Sequence, residues 1–493
     1  MSANAVTFTI SDGSLGLVPA DSSANTAVLG TASSGTNEQV YSYSSSDAID
    51  DVRTNLGYGP LPEACAYHLS QDGSPVYAVK VDPTGGTAAA TSAVTLVGTG
   101  IDPGVTISVG TGYDDYQIKV LIVLGGAVAT ATFKYSLDGG DTYSATIVSA
   151  ATYAIPNTGI TLAFTAGTYV AGDIYSATST AATYTTTKLG LAIDALLAST
   201  VQFGLVHIVG RPSGASDTLK ASAFAAMVAA VQTKLATAAT AYRWARAICD
   251  GPDVANDSTA DGLLTTAFVS TDAPRVVAGA GDCELLSALV SGRKMKRSSS
   301  WPLVARARQI PISEEPGWVG RGSLGSSCAI QTADTTPTKY LDSRTRSTLH
   351  DSRFSTLRTH IGRPGVYVTQ SNTMALSTSD FNVLPRGRVM DRACVVGYAI
   401  LVEYINASVR IDPDTGYILE ADAKAIEGRI DAAIRAAIVS TGDASDVAIT
   451  VNRTTNLLST PTLKVKIRIT PVGYFRNITS EIGFTNPALF VTA

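Results

Sequence analysis

Apolar and polar positions change their period three times along the chain. Val6, Phe8 and Ile10 alternate with Thr7 and Thr9, the two-residue period of a half-buried strand. The turn-forming SDGS follows, so this strand has no local hairpin partner and must pair elsewhere in the fold or on another chain. Between 24 and 92 the pattern reads strand, helix, helix, strand. TAVLG (26–30) is a short apolar strand. Residues 46–56 read as a helix capped by a Ser, with Asp47, Asp50 and Asp51 in its first turns, where the helix dipole favours anions. A second helix starts near Leu61, with Pro62 and Glu63 at early positions, and PVYAVKV (75–81) is a strand. TGGTAAATSA (84–93) reads as a flexible linker.

From 94 to about 185 helical periodicity vanishes. Short β runs (VTISVG, YQIKVLIVL, TATFKYS, GITLAF, DIYSATST) alternate with turns, and Asp138-Gly139-Gly140 is a hairpin signal. This predicts a small antiparallel β-sandwich inserted through flexible joints. From 186 the rhythm returns: helix 188–198, strand 202–210, an Ala-rich helix 216–240, strand 243–251, helix 260–270, strand 275–281. Such alternation predicts a mainly parallel sheet with helices on its faces. Joined to 24–92, it makes one α/β domain interrupted by the β insertion. After about 346 come strand 365–370 and helices over roughly 385–405 and 421–439, the latter with Ile426, Ile430, Ile434 and Ile438 along one face. LKVKIRITP (463–471) alternates Val465, Ile467 and Ile469 with Lys464, Lys466 and Arg468, and ITSEIGFTNPALFVTA closes the chain as an extended apolar tail.

Composition narrows the class. At 493 residues a length prior gives about two to four domains. Hydrophobic residues make up 45% and charged ones 16%, which excludes a disordered polyelectrolyte. No apolar run reaches about 20 residues, so no membrane span and no membrane insertion are expected. The first residues lack the basic start and apolar run of a signal peptide. Five scattered cysteines with no CxxC predict neither a metal site nor a disulfide framework, and reduced folding. Net charge is -5, but residues 1–200 carry -11 and residues 201–493 carry +6. The two halves are therefore suited to different partners, or to copies of the same chain. A pI of 5.5 lacks the basic footprint of a nucleic-acid binder, so none is expected.

Motifs of catalysis are missing. Gly320-x-Gly322-x-x-Gly325 lacks the preceding strand and following helix that a dinucleotide turn needs. Asp250, Asp253, Asp257 and Asp261 miss the spacing of a calcium loop. His68, His207, His350 and His360 form no metal-binding pair, and His207 lies on an apolar strand as a core residue. Lys294, Lys296 and Arg297 read as a solvated loop or as a docking patch for an acidic neighbour.

Several blocks together carry a resemblance. GYGPLPEACAYHLSQDGSPVYAVKV (57–81) resembles the N-terminal block of contractile-phage tail sheath proteins. WPLVARARQIPISEEPGWV (301–319) and FSTLRTHIGRPGVYVTQSNTMALSTSDFNVLPRGRVMDRA (354–393) resemble their later blocks, and KVKIRITPVGYFRNITSEIGFTNP (464–487) their C-terminal segment. Sheaths of phage-tail-like particles share the family. The resemblance implies a multidomain α/β and α+β protein. Its parts are an N-terminal strand arm (1–23), an interrupted α/β domain (24–93 and 186–345), an outward-facing antiparallel β-sandwich (94–185), a tube-facing α+β core domain (346–480) and a C-terminal strand arm (481–493). It implies a non-enzymatic subunit without cofactor, located in a virion tail or phage-tail-like particle assembled in the bacterial cytoplasm. Sheath hexamers would stack in a helical array around a tail tube, ending at baseplate and tail terminator proteins, and contract by near-rigid subunit movements. Val6, Phe8, Ile10, Ile482, Phe484, Leu489 and Val491 are then expected to exchange strands between subunits, and Lys424, Arg429 and Arg435 to face acidic tube residues. Two other readings stand beside it: a host-surface or glycan-binding tail protein acting through 94–185, and an α/β enzyme with a pocket at the C-terminal ends of its strands.

Overall fold

The computed structural model describes residues 21–45, 48–102, 104–109, 114–211, 216–252, 265–325, 328–330 and 348–484. The first expected strand, Val6–Ile10, lies outside the described residues.

Short apolar strands with residues facing alternate sides build a seven-stranded sheet. From edge to edge its order is Val40–Tyr43, Val76–Lys80, Thr26–Gly30, Leu205–Ile208, Arg246–Cys249, Ala273–Ala278 and Thr373–Met374. The five central strands are parallel and the two edge strands antiparallel. Ala27, Leu29, Val206 and Ile208 face one core, filled by the helices Thr186–Ala198 and Asp217–Thr240. Val28, Leu205, Ile248 and Val277 face the other, filled by Ile49–Leu56, Pro60–Asp72 and Ser300–Gln309 with the buried Trp301. Side-chain oxygens of Thr185 and Ser216 cap the first two helices.

Several expectations need correction. The helix of residues 46–56 starts at Ile49, behind Ala48, and no side chain caps it. The helix over 260–270 is described only from residue 265. Asp217–Thr240 is, by length and composition, apolar enough to cross a membrane, contrary to the expectation that no run is. Its Phe224, Val228, Val231 and Leu235 are buried against the sheet, while Lys220 and Lys234 pair with Asp217 and Asp194. The C-terminal domain does not begin at 346. Leu349, Phe354 and Met374 belong to the first α/β core and Leu357, Val366 and Val368 to the second, and Thr373–Met374 is a strand of the large sheet. That domain begins instead near the helix Leu384–Leu401.

The insertion is built on two antiparallel sheets packed face to face, with a further two-stranded sheet of Gly126–Ala127 and Thr168–Tyr169. One has Ile174–Thr180 at its centre, bonded to Tyr116–Leu124 on one side and to Ala90–Thr91 and Thr95–Val97 on the other. The second is Thr152–Ala154, Ile160–Phe164 and Val105–Val109. Phe133 of the first sheet lies 4.8 Å from Phe164 of the second, ring centre to ring centre. The residues 84–93 are no free linker. Ala90–Thr91 pairs with Ser179–Thr180, Thr183 and Thr87 exchange hydrogen bonds of 2.9 and 2.8 Å, and a Cβ on Gly86 would collide with the Thr183 carbonyl. Nor does Asp138-Gly139-Gly140 make a tight hairpin. Thr132–Ser136 meets the returning chain at Ser144 and pairs with Ile147–Val148, across a wide loop in which Asp138 accepts from Ser136 and Thr142.

The C-terminal domain packs Leu384–Leu401 and Glu420–Ile434 against the hairpin Ala444–Val451/Val465–Pro471. The buried Ile426, Ile430, Ile434 and Ile438 form its core with Val396, Ile400, Val447 and Val451.

Candidate assembly surfaces

Two buried ionic seams weld the three parts together. Arg293, just before the strand Lys294–Ser298, and Arg297, within it, are buried beneath the insertion. Arg293 reaches Asp114 at 2.7 Å and Glu63 at 3.2 Å, and lies 4.0 Å from the centre of the Tyr116 ring. Arg297 also pairs with Asp114, and its guanidinium lies 4.8 Å from the centre of the Trp301 ring. Ser287 donates to both oxygens of Glu63 at 2.9 Å. Burial raises the Asp114 carboxyl, but the two guanidiniums outweigh it and hold it below the usual carboxylate range. Burial dominates at Glu63 and pushes its carboxyl up against the pull of Arg293. The acidic neighbour of the basic cluster is thus the chain's own insertion. The signal was present in the sequence, as an acidic Asp114-Asp115 step in an insertion otherwise poor in charge.

The second seam joins the C-terminal helix to the sheet. Arg246 donates to Asp391 at 2.9 Å and to the Pro274 carbonyl at 2.7 Å, and Arg275 approaches Asp391 at 3.2 Å. Gly387 sits where any Cβ would collide with the Arg246 guanidinium, so the helix approaches only because that residue is Gly.

A cleft of about 640 Å³ opens at the C-terminal ends of the parallel strands, between Arg211, Asp250 and Asp282 of the core and Gln117, Asp138 and Thr178 of the insertion. Polar groups do converge there. Asp250 accepts from Ser300, from the Trp301 indole at 3.2 Å and from the Gly210 amide at 3.0 Å, and its contact with His207 Nε2 is 3.2 Å. His207 Nδ1 lies 2.9 Å from His68 Nε2. With Asp250 ionised, His207 donates from Nε2 and accepts at Nδ1, and His68 donates from Nε2, leaving its Nδ1 bare. Burial and the neighbouring His207 hold the His68 pKa well below its usual value. Burial raises the Asp250 carboxyl, but His207, Ser300 and Gly210 bring it below normal. Ser300 gives its proton to Asp250 rather than to a histidine, so this cluster contains no activated nucleophile. Among the described residues no group of three or more His, Cys, Asp or Glu could hold a metal. Asp282 is held by Arg211 and Lys294 lies between Asp141 and Glu284. Along the cleft, acidic groups are thus matched by the chain's own cations.

The C-terminal end differs from this closed interior. Tyr474 is anchored through its hydroxyl to the Ser313 carbonyl at 2.6 Å. Beyond it the chain runs to residue 484 without helix or strand, and Phe475, Ile478, Ile482 and Phe484 are between 84% and 109% exposed. The hairpin at its root is a sheet of two strands, each with one edge unpaired among the described residues.

Of the residues expected to exchange strands, Ile482 and Phe484 are therefore exposed and unpartnered, while Val6, Phe8, Ile10, Leu489 and Val491 lie outside the described residues. The three cations expected to face a tube are satisfied within the chain. Lys424 reaches Glu420 at 3.4 Å, Arg429 pairs with Glu403, and Arg435 binds Asp431 and Asp446, each at 2.7 Å.

No curated protein matches the chain. Among solved structures, the sheath complex of an extracellular contractile injection system (PVC), in its contracted state, superposes with a TM-score of 0.53 at 10% identity, over 99% of each chain. The helical sheath of the anti-feeding prophage, also contracted, gives 0.51 at 10% identity, over 98% of this chain and 99% of that one. A chain of the contracted anti-feeding prophage baseplate gives 0.53 at 10% identity, over 97% of each. The fold is thus that of contractile-system sheath proteins. Residues 3–372 match the DUF2586 N-terminal domain and residues 380–489 the DUF2586 C-terminal domain, and their junction falls where the large sheet ends and the C-terminal helix begins. The chain belongs to the DUF2586 family.

Proposed function

We propose that this chain is the structural subunit of a contractile tail sheath. Its copies stack as hexameric rings around a tail tube, between baseplate and terminator proteins, in a virion tail or phage-tail-like particle. Contraction then drives the tube through the target envelope. The observation that carries this is the exposed apolar tail beyond Tyr474 beside an open-edged hairpin, on a molecule with the sheath fold. A monomer gains nothing by presenting four large apolar side chains to water; a strand donor does. Ile482, Phe484, Leu489 and Val491 on one arm, and Val6, Phe8 and Ile10 on the other, would add to small sheets of neighbouring subunits. Such heterologous contacts propagate into an open helical array. The ionic seams support movement as a rigid body, in which interfaces repack while the subunit keeps its shape. Lys424, Arg429 and Arg435 could meet a tube only by exchanging their present partners, which makes them weaker candidates for that contact.

Negative-stain electron microscopy of the full chain, beside a version lacking residues 1–12 and 482–493, tests the proposal. Hollow striated tubes from the full chain alone support it. Tubes from both remove the strand-exchange role. If the full chain makes no tubes even with its cognate tube protein, the sheath role falls.

A further inference from the structure

The first described residues run along a groove with aromatic walls. Asp21, Ser22 and Ser23 line a cavity of about 50 Å³ together with Phe203, Tyr242 and Trp244. Their path is fixed. The buried Arg388 donates to the Ser23 carbonyl at 3.2 Å, and the Asn25 side chain donates to the Gln202 carbonyl at 3.1 Å. A Cβ on Gly204 would lie 2.7 Å from the Ser23 Cα. The chain enters the fold over this groove, and the residues before Asp21 start at its rim.

One wall has a disfavoured backbone. The helix Asp217–Thr240 closes with the Arg243 amide on the Ala238 carbonyl at 2.9 Å and the Tyr242 amide on the Ala239 carbonyl at 3.2 Å. That pair of bonds leaves the next residue left-handed, a place glycine ordinarily fills. Here it is Tyr242, at φ 63°, where a bulky side chain is rare. Its ring stacks on Tyr398 of the helix Leu384–Leu401 at 4.3 Å, and Trp244 lies 6.2 Å from both. Yet Tyr242 is still 58% exposed and Tyr398 38%. A ring left mostly in water offsets little of that strain.

The sequence just upstream supplies an apolar cover. Leu15, Leu17, Val18, Pro19 and Ala20 carry no charge, and only Gly16 interrupts them. Pro19 biases Val18 towards an extended backbone. At about 3.3 Å per residue Leu17–Ala20 spans about 13 Å, enough to cross rings that lie 4.3 to 6.2 Å apart. We propose that residues 15–20 of the same chain lie across Tyr242, Trp244 and Tyr398. The N-terminal segment is then clamped to its own subunit as far as Ser14, and only residues 1–14, about 46 Å when extended, are free to reach another copy. A second copy's segment would have to displace one tethered at Ser23, only a few residues away, whose effective concentration is in the millimolar range. The clamp does not depend on the sheath reading and would hold in the free subunit.

Limited chymotrypsin digestion of the full chain tests it, with initial cleavage rates after Phe8 and after Leu17 read by mass spectrometry. Tyr242→Gly removes the ring and also relieves the left-handed backbone, so the fold is not strained by the change. It should speed cleavage after Leu17 at least about tenfold and change cleavage after Phe8 less than about twofold, because cleavage tracks the undocked population. Tyr398→Ala, which leaves that backbone alone, should move Leu17 in the same direction. Cleavage after Leu17 at the parent rate in both variants overturns the clamp, and so does equal acceleration at Phe8 and Leu17. A lower thermal midpoint in Y242G with no change at Leu17 would make the ring a packing residue only and would also overturn it. Protection of Leu17 that fades as the parent is diluted would place the segment on a second copy and remove the clamp within one chain.

Discussion

Between the α/β sheet and the sandwich, Arg293 and Arg297 lie buried against Glu63 and Asp114; on the C-terminal hairpin, Lys464, Lys466 and Arg468 lie exposed without an anion among the described residues. The same contrast holds for apolar residues. Trp301, Phe133 and Phe224 are sealed in cores, while Phe475, Ile482 and Phe484 stand in water. Buried charges are tolerated only when each finds a partner, because an unpaired one in a low-dielectric interior is far costlier than the pair is favourable. Every group at the seam is therefore committed to holding the subunit rigid. At the hairpin only one edge and the apolar face are used, and beyond Tyr474 the tail's large apolar side chains face water, which is the condition for a surface whose partner arrives on another chain.

The largest effect that would break this contrast is at the seam. Arg293→Ala leaves Glu63 and Asp114 buried without it, so the chain should lose about 3–5 kcal/mol, read as a drop in the urea midpoint. A loss below about 1 kcal/mol would mean the insertion is not energetically tied to the core. Gly387→Ala comes next. The new methyl must displace the Arg246 guanidinium from Asp391, and overpacking of this kind costs about 1–3 kcal/mol. Increased protease cleavage near residues 376–384 would accompany a loosened C-terminal helix; an unchanged digest would say that the helix is held by other contacts.

A third effect is pH-dependent and belongs to the interior alone. His68 is buried, and its pKa lies well below the ordinary value of about 6.5. Below that value the unfolded chain takes up a proton that the folded chain refuses. Stability is thus fully present above about pH 6.5 and falls as pH drops, at up to about 1.4 kcal/mol per pH unit. The Asp250 carboxyl, held below its usual value, adds a loss of the same sign lower down, toward about pH 4. His68→Gln removes the titrating group, so urea midpoints between pH 6.5 and 5 should flatten; an identical slope in both proteins would assign the effect elsewhere.

What the sequence made legible follows from the range of each interaction. Periodicity exposed the parallel strands, the sandwich strands and the isoleucine face of Ile426–Ile438, because those patterns are local. The boundary placed at 346 failed since Thr373–Met374 joins the sheet by pairing with Ala273–Ala278, a contact across a hundred residues that no window contains. The joint at 84–93 failed for a similar reason. Its small residues are those of a linker, and also those that let Gly86 press on Thr183. Alternation along 463–471 marks the strand but not that its cations lack partners among the described residues, because an unpaired cation is recognisable only once its neighbours' partners are known. Lys424, Arg429 and Arg435 lie off the isoleucine face of a helix that the resemblance turns toward the tube, and their carboxylate partners lie at distances along the chain from 4 to 26 residues.

The smallest expected effect is the most discriminating. Ending the chain after Tyr474 removes Phe475, Ile478, Ile482 and Phe484 but none of the buried contacts, since Tyr474 itself keeps its bond to Ser313. The monomer should keep its stability within about 0.5 kcal/mol, as surface changes do, while assembly is lost. A fall of about 2 kcal/mol or more in the monomer would mean that the tail packs on its own domain in solution and is no strand donor. The two readouts separate because, among the described residues, Tyr474 carries the tail's one hydrogen bond to its subunit, and beyond it only the charge of Arg476 acts on the buried Glu315 and on His350. Whatever free energy its apolar side chains contribute must come from a surface they meet after Tyr474, and in the isolated subunit they meet water.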